Sequence, residues 1–238
     1  MKKKKILIIG GSGSISNAIG KFLSKSFFLI SSSRNKPEYK SEYIYLDLNE
    51  KKSIREFCYN FKNKFKTIDG IIFASGKTIG PKKNSKNKLQ SPKIFKNLMN
   101  VNLISFYEII FELEENLSNN ASIILISSLG AHHSFPNNPG YQVSKAGLES
   151  LSRSLSYDLS YKDVRVNSLA LGYFKTEMTR ESFADKNLRK ERTDRTILKR
   201  WGDPQEINGI INLLLSDSSS YMTGSTIFID GGWHSKGL

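Results

Sequence analysis

The chain has 238 residues, 38% of them hydrophobic and 24% charged, enough to bury one sizeable core in a single domain over 1–238. That balance excludes a disordered or collagen-like chain, and no apolar run approaches the roughly 20 residues that cross a bilayer, so no membrane partner is expected. Thirty-six Lys and Arg against 22 Asp and Glu give a formal charge of +14, which by itself selects no partner.

In chain order, short apolar runs alternate with longer stretches at helical spacing, the pattern of βαβ units around a parallel sheet covered on both faces. Strands are expected at 5–9, 27–31, 43–46, 70–74, 122–127, 164–169 and 226–229. Helices are expected near 15–25, 50–65, 92–117, 141–161 and 204–216. The reading is α/β, with about seven strands. The first strand follows Lys2 to Lys5, but its apolar run of Ile6, Leu7, Ile8 and Ile9 ends at Gly10, too short for an export segment. Cys58, the single cysteine, lies in an apolar-periodic stretch and reads as an inert core thiol. A cytoplasmic setting fits. The lysines crowd at Lys2 to Lys5 and at Lys82, Lys83, Lys86 and Lys88. No nucleic-acid motif, repeat or zinc-ligand spacing accompanies them, so a solvated surface is favoured over a polyanion site, and neither nucleic acid nor metal is expected.

Three features carry chemistry. The first strand runs into Gly10-Gly11-Ser12-Gly13-Ser14-Ile15-Ser16, a tight turn opening a helix, where backbone N–H groups and the helix dipole can hold a pyrophosphate. Helix capping by Ser14 and Ser16 is the alternative use of the same hydroxyls. The second strand ends Ser31-Ser32-Ser33-Arg34. No acidic residue there holds a ribose diol, while Ser33 and Arg34 suit a 2′-phosphate, favouring NADP over NAD. Third, Tyr141 and Lys145 are four apart and share a helix face. The ammonium is expected to lower the phenol's pKa from its usual value near 10, and Ser128 ends the strand before them.

With these residues the chain resembles the short-chain dehydrogenase/reductase family over almost its whole length, particularly the branch of 3-oxoacyl-carrier-protein reductases. The family's Tyr-x-x-x-Lys appears as Tyr141 and Lys145, its serine as Ser128, and its Asn-x-Asn-Leu segment as Asn100-Val101-Asn102-Leu103. The "PG" turn and following threonine match Gly172, Phe174 and Thr176, the adenine-contacting acidic pair matches Asp47 and Leu48, and 200–207, 221–224 and 230–232 match the C-terminal signature. Departures are Ser14 and Ser16 for two motif glycines, Phe73-Ala74-Ser75-Gly76 for the "Asn-Asn-Ala-Gly" segment, and Leu171 for the turn proline. A Ser-Ile pair also resembles the enoyl-carrier-protein reductase branch, whose Tyr-to-Lys spacing of seven differs from the four here.

The resemblance implies a Rossmann-type doubly wound parallel sheet and a hydride transfer between nicotinamide and a carbonyl or secondary alcohol. In that scheme Tyr141 exchanges the proton, Ser128 stabilises the oxygen, Lys145 holds the nicotinamide ribose, and Asn102 supports a water. Thr176 contacts the carboxamide. Cofactor contacts are expected at Gly10, Ser12, Gly13, Ser14, Ile15, Ser33, Arg34, Asp47, Leu48, Ala74, Ser75, Gly76, Tyr141, Lys145, Gly172, Phe174 and Thr176. The substrate is a small-molecule or carrier-linked carbonyl or alcohol, with a β-ketoacyl group and a sugar-type alcohol both open. A non-catalytic dinucleotide-binding sensor or scaffold is the alternative that the altered glycine turn allows. Residues 176–200 read as a polar substrate lid that includes Met178, Phe183 and Leu188. His132 and His133 either contact substrate or face solvent. Phe106, Tyr107 and Phe111 serve either core packing or an intersubunit bundle in a homodimer or homotetramer.

Overall fold

The computed structural model describes residues 3–79 and 89–236. Lys2, Lys82, Lys83, Lys86 and Lys88 fall outside that range. The elements run β1 (Lys5–Ile9), α1 (Ser14–Leu23), β2 (Phe28–Ser33), β3 (Glu42–Tyr45), α2 (Lys51–Lys64), β4 (Ile68–Phe73), α3 (Pro92–Met99), α4 (Ser105–Leu113), β5 (Leu117–Ser128), α5 (Pro139–Asp158), β6 (Arg165–Leu171), α6 (Arg180–Ala184), α7 (Lys186–Arg195), α8 (Asn208–Leu215) and β7 (Thr226–Ile229). The seven strands form one parallel sheet in the order β3-β2-β1-β4-β5-β6-β7.

Period-2 alternation divides the apolar residues between two layers. Leu7 and Ile9 of β1 join the cluster containing Phe57, Phe61, Phe106, Ile109 and Leu148 from α2, α4 and α5. Ile6 and Ile8 join the opposite cluster, with Ile19 and Leu23 from α1 and Ile211 and Leu214 from α8. Each such residue taken fully out of water contributes about 1.5–3 kcal/mol, so a polar substitution at Ile8 would break β1. Cys58 is buried in the first cluster, and burial pushes its thiol up to about 12, which leaves it unreactive. Phe106 belongs to the core, whereas Tyr107 and Phe111 point outward from α4, so the three aromatics expected to act together divide between two roles.

The boundaries differ where tertiary pairing outweighs local pattern. β2 continues to Ser33 because Ser32 and Ser33 pair with β3, although serine has little strand preference. β5 starts at Leu117, five residues early, carrying the polar Ser118, Asn119 and Asn120 that break the apolar run. The helix expected over 92–117 is four pieces: α3, a π turn at Asn100–Ile104, α4, and a 3-10 turn at Glu114–Asn116. Such wide π turns insert one residue into a helix and commonly mark functional positions. Pro139 opens α5 in its first turn, where a missing N–H is harmless. Within 176–200 a Thr176–Thr179 capping box leads into α6, and the Asp185 carboxylate caps α7 by accepting from the N–H groups of Asn187 and Leu188. No helix among the described residues is long and apolar enough to cross a membrane.

Candidate active site

The chain order reverses between β1 and β4, where an open α/β sheet forms a crevice at its carboxyl edge. The turn after β1 is shaped for that place. Gly10 has φ +84°, and a Cβ there would stand 2.7 Å from the backbone nitrogen of Ser75, so only glycine fits. The N–H groups of Gly10 and Gly11 both donate to the Ser32 carbonyl, at 2.8 and 3.1 Å. Gly13 caps α1 without any side-chain bond, leaving the first-turn N–H groups available to an anion.

A cleft of about 280 Å³ opens over this turn. Its floor is Gly10, Ser12 and Gly13, and Ala74, Ser75 and Gly76 close it from the end of β4. Ser33 and Arg34 line one end, with Asp47 and Leu48 from the segment after β3. Partial burial pushes the Asp47 carboxyl up, but hydrogen bonds from Asn49 and the charges of Arg34 and Lys77 hold it below the ordinary carboxylate range. The Ser33 hydroxyl donates to the Asn35 carbonyl at 2.7 Å. Arg34 is exposed at the rim, and among the described residues it forms no ion pair. A glycine-shaped cradle and an uncapped helix start fit the pyrophosphate of a dinucleotide.

Ser14 and Ile15 do not line this cleft. The Ser14 hydroxyl instead accepts the N–H of Glu177 at 3.1 Å, tying the glycine turn to the start of the 176–200 segment. Ser16 is fully buried within α1. Neither serine is among the residues that line the cleft.

At the other end stand Ser128, Tyr141 and Lys145. β5 delivers Ser128 to the carboxyl edge, where its Oγ accepts the N–H of Gly130 at 3.0 Å, and Tyr141 reaches it from α5. One turn further along α5, Lys145 is buried, and its Nζ donates to the Ile126 carbonyl at 2.7 Å while lying 5.9 Å from the Tyr141 ring centroid. A Cβ on Gly76 would stand 3.3 Å from Lys145 Nζ, so the dinucleotide cleft reaches the lysine. Burial lowers the Lys145 ammonium to about 8 against the opposing pull of Glu149. Burial also raises the Tyr141 phenol above its ordinary value, although the Ser128 hydrogen bond works the other way. The lowering expected from Lys145 is therefore not found, because desolvation of the buried phenol disfavours the phenolate.

Asn102 sits inside the π turn, fully buried. Its Oδ1 accepts the Lys77 N–H at 2.8 Å, and its Nδ2 donates to the Lys77 carbonyl at 2.9 Å and to Ser144 Oγ at 3.0 Å. Both amide hydrogens are committed, so the side chain staples the segment after β4 to α5. Sequence reasoning missed Glu149, buried one turn beyond Lys145. The Ser127 hydroxyl donates to Glu149 Oε1 at 2.6 Å, and His132 Nε2 lies 2.8 Å from Oε2. The spacing Tyr141, Lys145, Glu149 was the available signal, three residues on one helical face.

Gly172, Phe174 and Thr176 also lie outside the cleft lining. Gly172 donates to the Ile229 carbonyl at 3.0 Å, Phe174 is buried in a bridge to Gly202, and Thr176 is occupied in its capping box. Together they lead from β6 into the 176–200 segment. Met178 Cε comes within 4.0 Å of a Cβ built on Gly76, whereas Phe183 packs against Trp201 and Leu188 is partly exposed. His133 bonds His234 at 3.1 Å. Among the described residues, no group of three or more His, Cys, Asp or Glu is placed to hold a metal.

The profile of a family described as Enoyl-(Acyl carrier protein) reductase matches residues 31–234. A 3-oxoacyl-(acyl-carrier-protein) reductase FabG of Rickettsia felis is 31% identical, with 96% of each chain covered. A Sus scrofa protein, Dehydrogenase/reductase SDR family member 4, is 36% identical over 48% of this chain, a match spanning only 41% of that relative's length. Among solved structures, a short chain dehydrogenase family protein from Francisella tularensis superposes with a TM-score of 0.89 at 28% identity, covering 98% of this chain and 100% of that one. A gluconate 5-dehydrogenase from Burkholderia cenocepacia, in complex with NADP and tartrate, shares the fold with a TM-score of 0.88 at 22% identity, covering 100% and 97%. With a glycine-shaped cleft ending at a Ser-Tyr-Lys constellation and full-length similarity to named reductases, this chain belongs to the short-chain dehydrogenase/reductase family of oxidoreductase enzymes.

Proposed function

We propose that the protein interconverts a carbonyl and a secondary alcohol with NADP(H) in preference to NAD(H), acting as one dinucleotide-binding unit whose residues 176–200 cover the substrate. The observation that carries this reading is the continuity of the cleft from Arg34, past the Gly10 turn and Gly76, to Lys145. Gly10, Ser12 and Gly13 would hold the pyrophosphate, and Ser33 and Arg34 the 2′-phosphate, since no carboxylate at the end of β2 repels it. The nicotinamide supplies or accepts the hydride. Tyr141 delivers a proton from its phenol oxygen to the carbonyl oxygen in reduction and removes it in oxidation, and its raised pKa keeps the proton in place until charge develops. The Ser128 hydroxyl donates to that oxygen as it becomes anionic. Lys145, anchored by the Ile126 carbonyl, keeps its Nζ beside the cleft, and Asn102 holds Lys77 and α5 in register.

A carrier-linked β-ketoacyl group is supported by the full-length similarity to named 3-oxoacyl reductases and by the +14 charge, which suits an acidic carrier. The outward Tyr107 and Phe111 of α4 support a homodimer or homotetramer in the cytoplasm. The test titrates the protein with NADPH and NADH, following nicotinamide fluorescence, and then compares turnover of Tyr141→Phe with native. Saturable NADPH binding, weaker NADH binding, and turnover lost with cofactor affinity kept are the expected results. Retained turnover in Tyr141→Phe would move the proton transfer to another group.

A further inference from the structure

One turn of α7 presents two arginines to an aromatic wall beside the Ser-Tyr-Lys constellation. The Arg192 guanidinium carbon lies 4.5 Å from the centroid of Tyr173, and that of Arg195 lies 5.6 Å from Trp233. The two rings pack on each other at 5.3 Å, and Phe135 meets each at 6.2 Å. These rings come from the segments after β5, β6 and β7, the carboxyl edge that also carries Ser128. Ser128 pairs across the sheet with Leu171, two residues before Tyr173. Arg195 has a carboxylate, Glu191, at 3.5 Å. Arg192 has none within ion-pair distance among the described residues, and its Nη1 is buried with no hydrogen-bond partner. The neighbouring Asp194 is taken by Lys190 at 2.8 Å.

We propose that the substrate of this enzyme carries an anionic head, a carboxylate or a phosphate, which enters against α7 and completes the unpartnered Nη1 of Arg192, with Arg195 beside it. This rests on the oxidoreductase reading above and names the substrate class for that site. Lying over the Tyr173 ring strips water from one side of the guanidinium, which strengthens a charge-assisted bond to it. A buried N–H without a partner is unfavourable until a ligand completes it. A neutral ketone leaves it unpaired. A second basic hollow, lined by Lys186, Arg189 and Lys199 beyond Trp201, does not make the same case, because its Lys175, Lys190 and Arg200 are already paired with Asp203, Asp194 and Glu206.

The experiment follows tryptophan emission of the full chain, since Trp233 lies under Arg195, during titration with acetoacetate, inorganic phosphate and ethyl acetoacetate. The two anions distinguish the carboxylate from the phosphate source, and the ester keeps the ketone without the charge. At least one anion is expected to saturate, about tenfold or more tighter than the ester, the worth of one charge-assisted bond. Arg192→Gln should weaken that anion by a similar factor, with Arg192→Lys between. The proposal is overturned if no anion saturates, if the ester binds as well, or if Arg192→Gln binds the anion like native protein. The comparison of anion and ester in native protein needs no variant to fold. Failure of NADPH to bind alongside a saturating anion would sink the oxidoreductase reading and leave the anion site standing; the converse would sink the anion site alone.

Discussion

Lys145 places function against stability, and the conflict has a size. Its Nζ is buried, and the ammonium is lowered from 10.5 to about 8. At 1.36 kcal/mol per unit, the folded state carries an electrostatic penalty of about 3 kcal/mol when the lysine is protonated. Lys145→Met removes that penalty but strands the Ile126 carbonyl, which costs about 1–3 kcal/mol. At pH 7 the variant should therefore range from unchanged to about 2 kcal/mol more stable, while turnover falls on the order of 100-fold or more. The pH dependence has a definite sign. Below about 8 both folded and unfolded states hold the proton and the penalty is complete. Between about 8 and 10.5 the unfolded chain keeps the proton that the folded chain sheds, so native stability rises with pH relative to the variant, and above that range the penalty is gone. Urea unfolding of both proteins at pH 7 and pH 10 measures this directly. A variant destabilised by more than about 2 kcal/mol at pH 7, or a difference that does not change between the two pH values, would refute the reasoning.

Arg34→Ala should weaken NADPH by about tenfold or more and leave NADH nearly unchanged; equal losses in a fluorescence titration would remove the 2′-phosphate assignment. In Gly10→Ala the new Cβ meets the Ser75 backbone at a positive φ, so stability should fall by about 1–3 kcal/mol and NADPH binding should be lost. Asn102→Ala strands the Lys77 backbone groups and Ser144, and chemical unfolding should show a loss of about 3 kcal/mol or more, whereas an unchanged midpoint would show that the staple contributes nothing. With Lys145 near 8, reductive turnover should have an alkaline limb there, and Lys145→Arg should move any remaining limb upward because guanidinium stays charged.

Sequence alone was sufficient where a residue's neighbours are local. Alternation in β1, the glycine run after it and the four-residue step from Tyr141 to Lys145 each operate within a few residues; the alternation specified a parallel α/β sheet, and the other two pointed to the residues proposed for the site. Signals that depend on distant chain were not legible. The buried serines ending β2 look like a loop until β3 pairs with them, and the π turn at Asn100–Ile104 has an ordinary helical pattern. Ser14 read as a cofactor contact or a helix cap, with no sign that its hydroxyl meets Glu177, 163 residues away. Even the direction of the Tyr141 shift depended on packing: pairing with Lys145 is a local expectation, but desolvation is the sum of every atom that folding brings around the phenol. Tertiary structure also decided what Arg192 faces, because a charged helix of low hydrophobicity carries no periodic signal of the side that meets an aromatic wall.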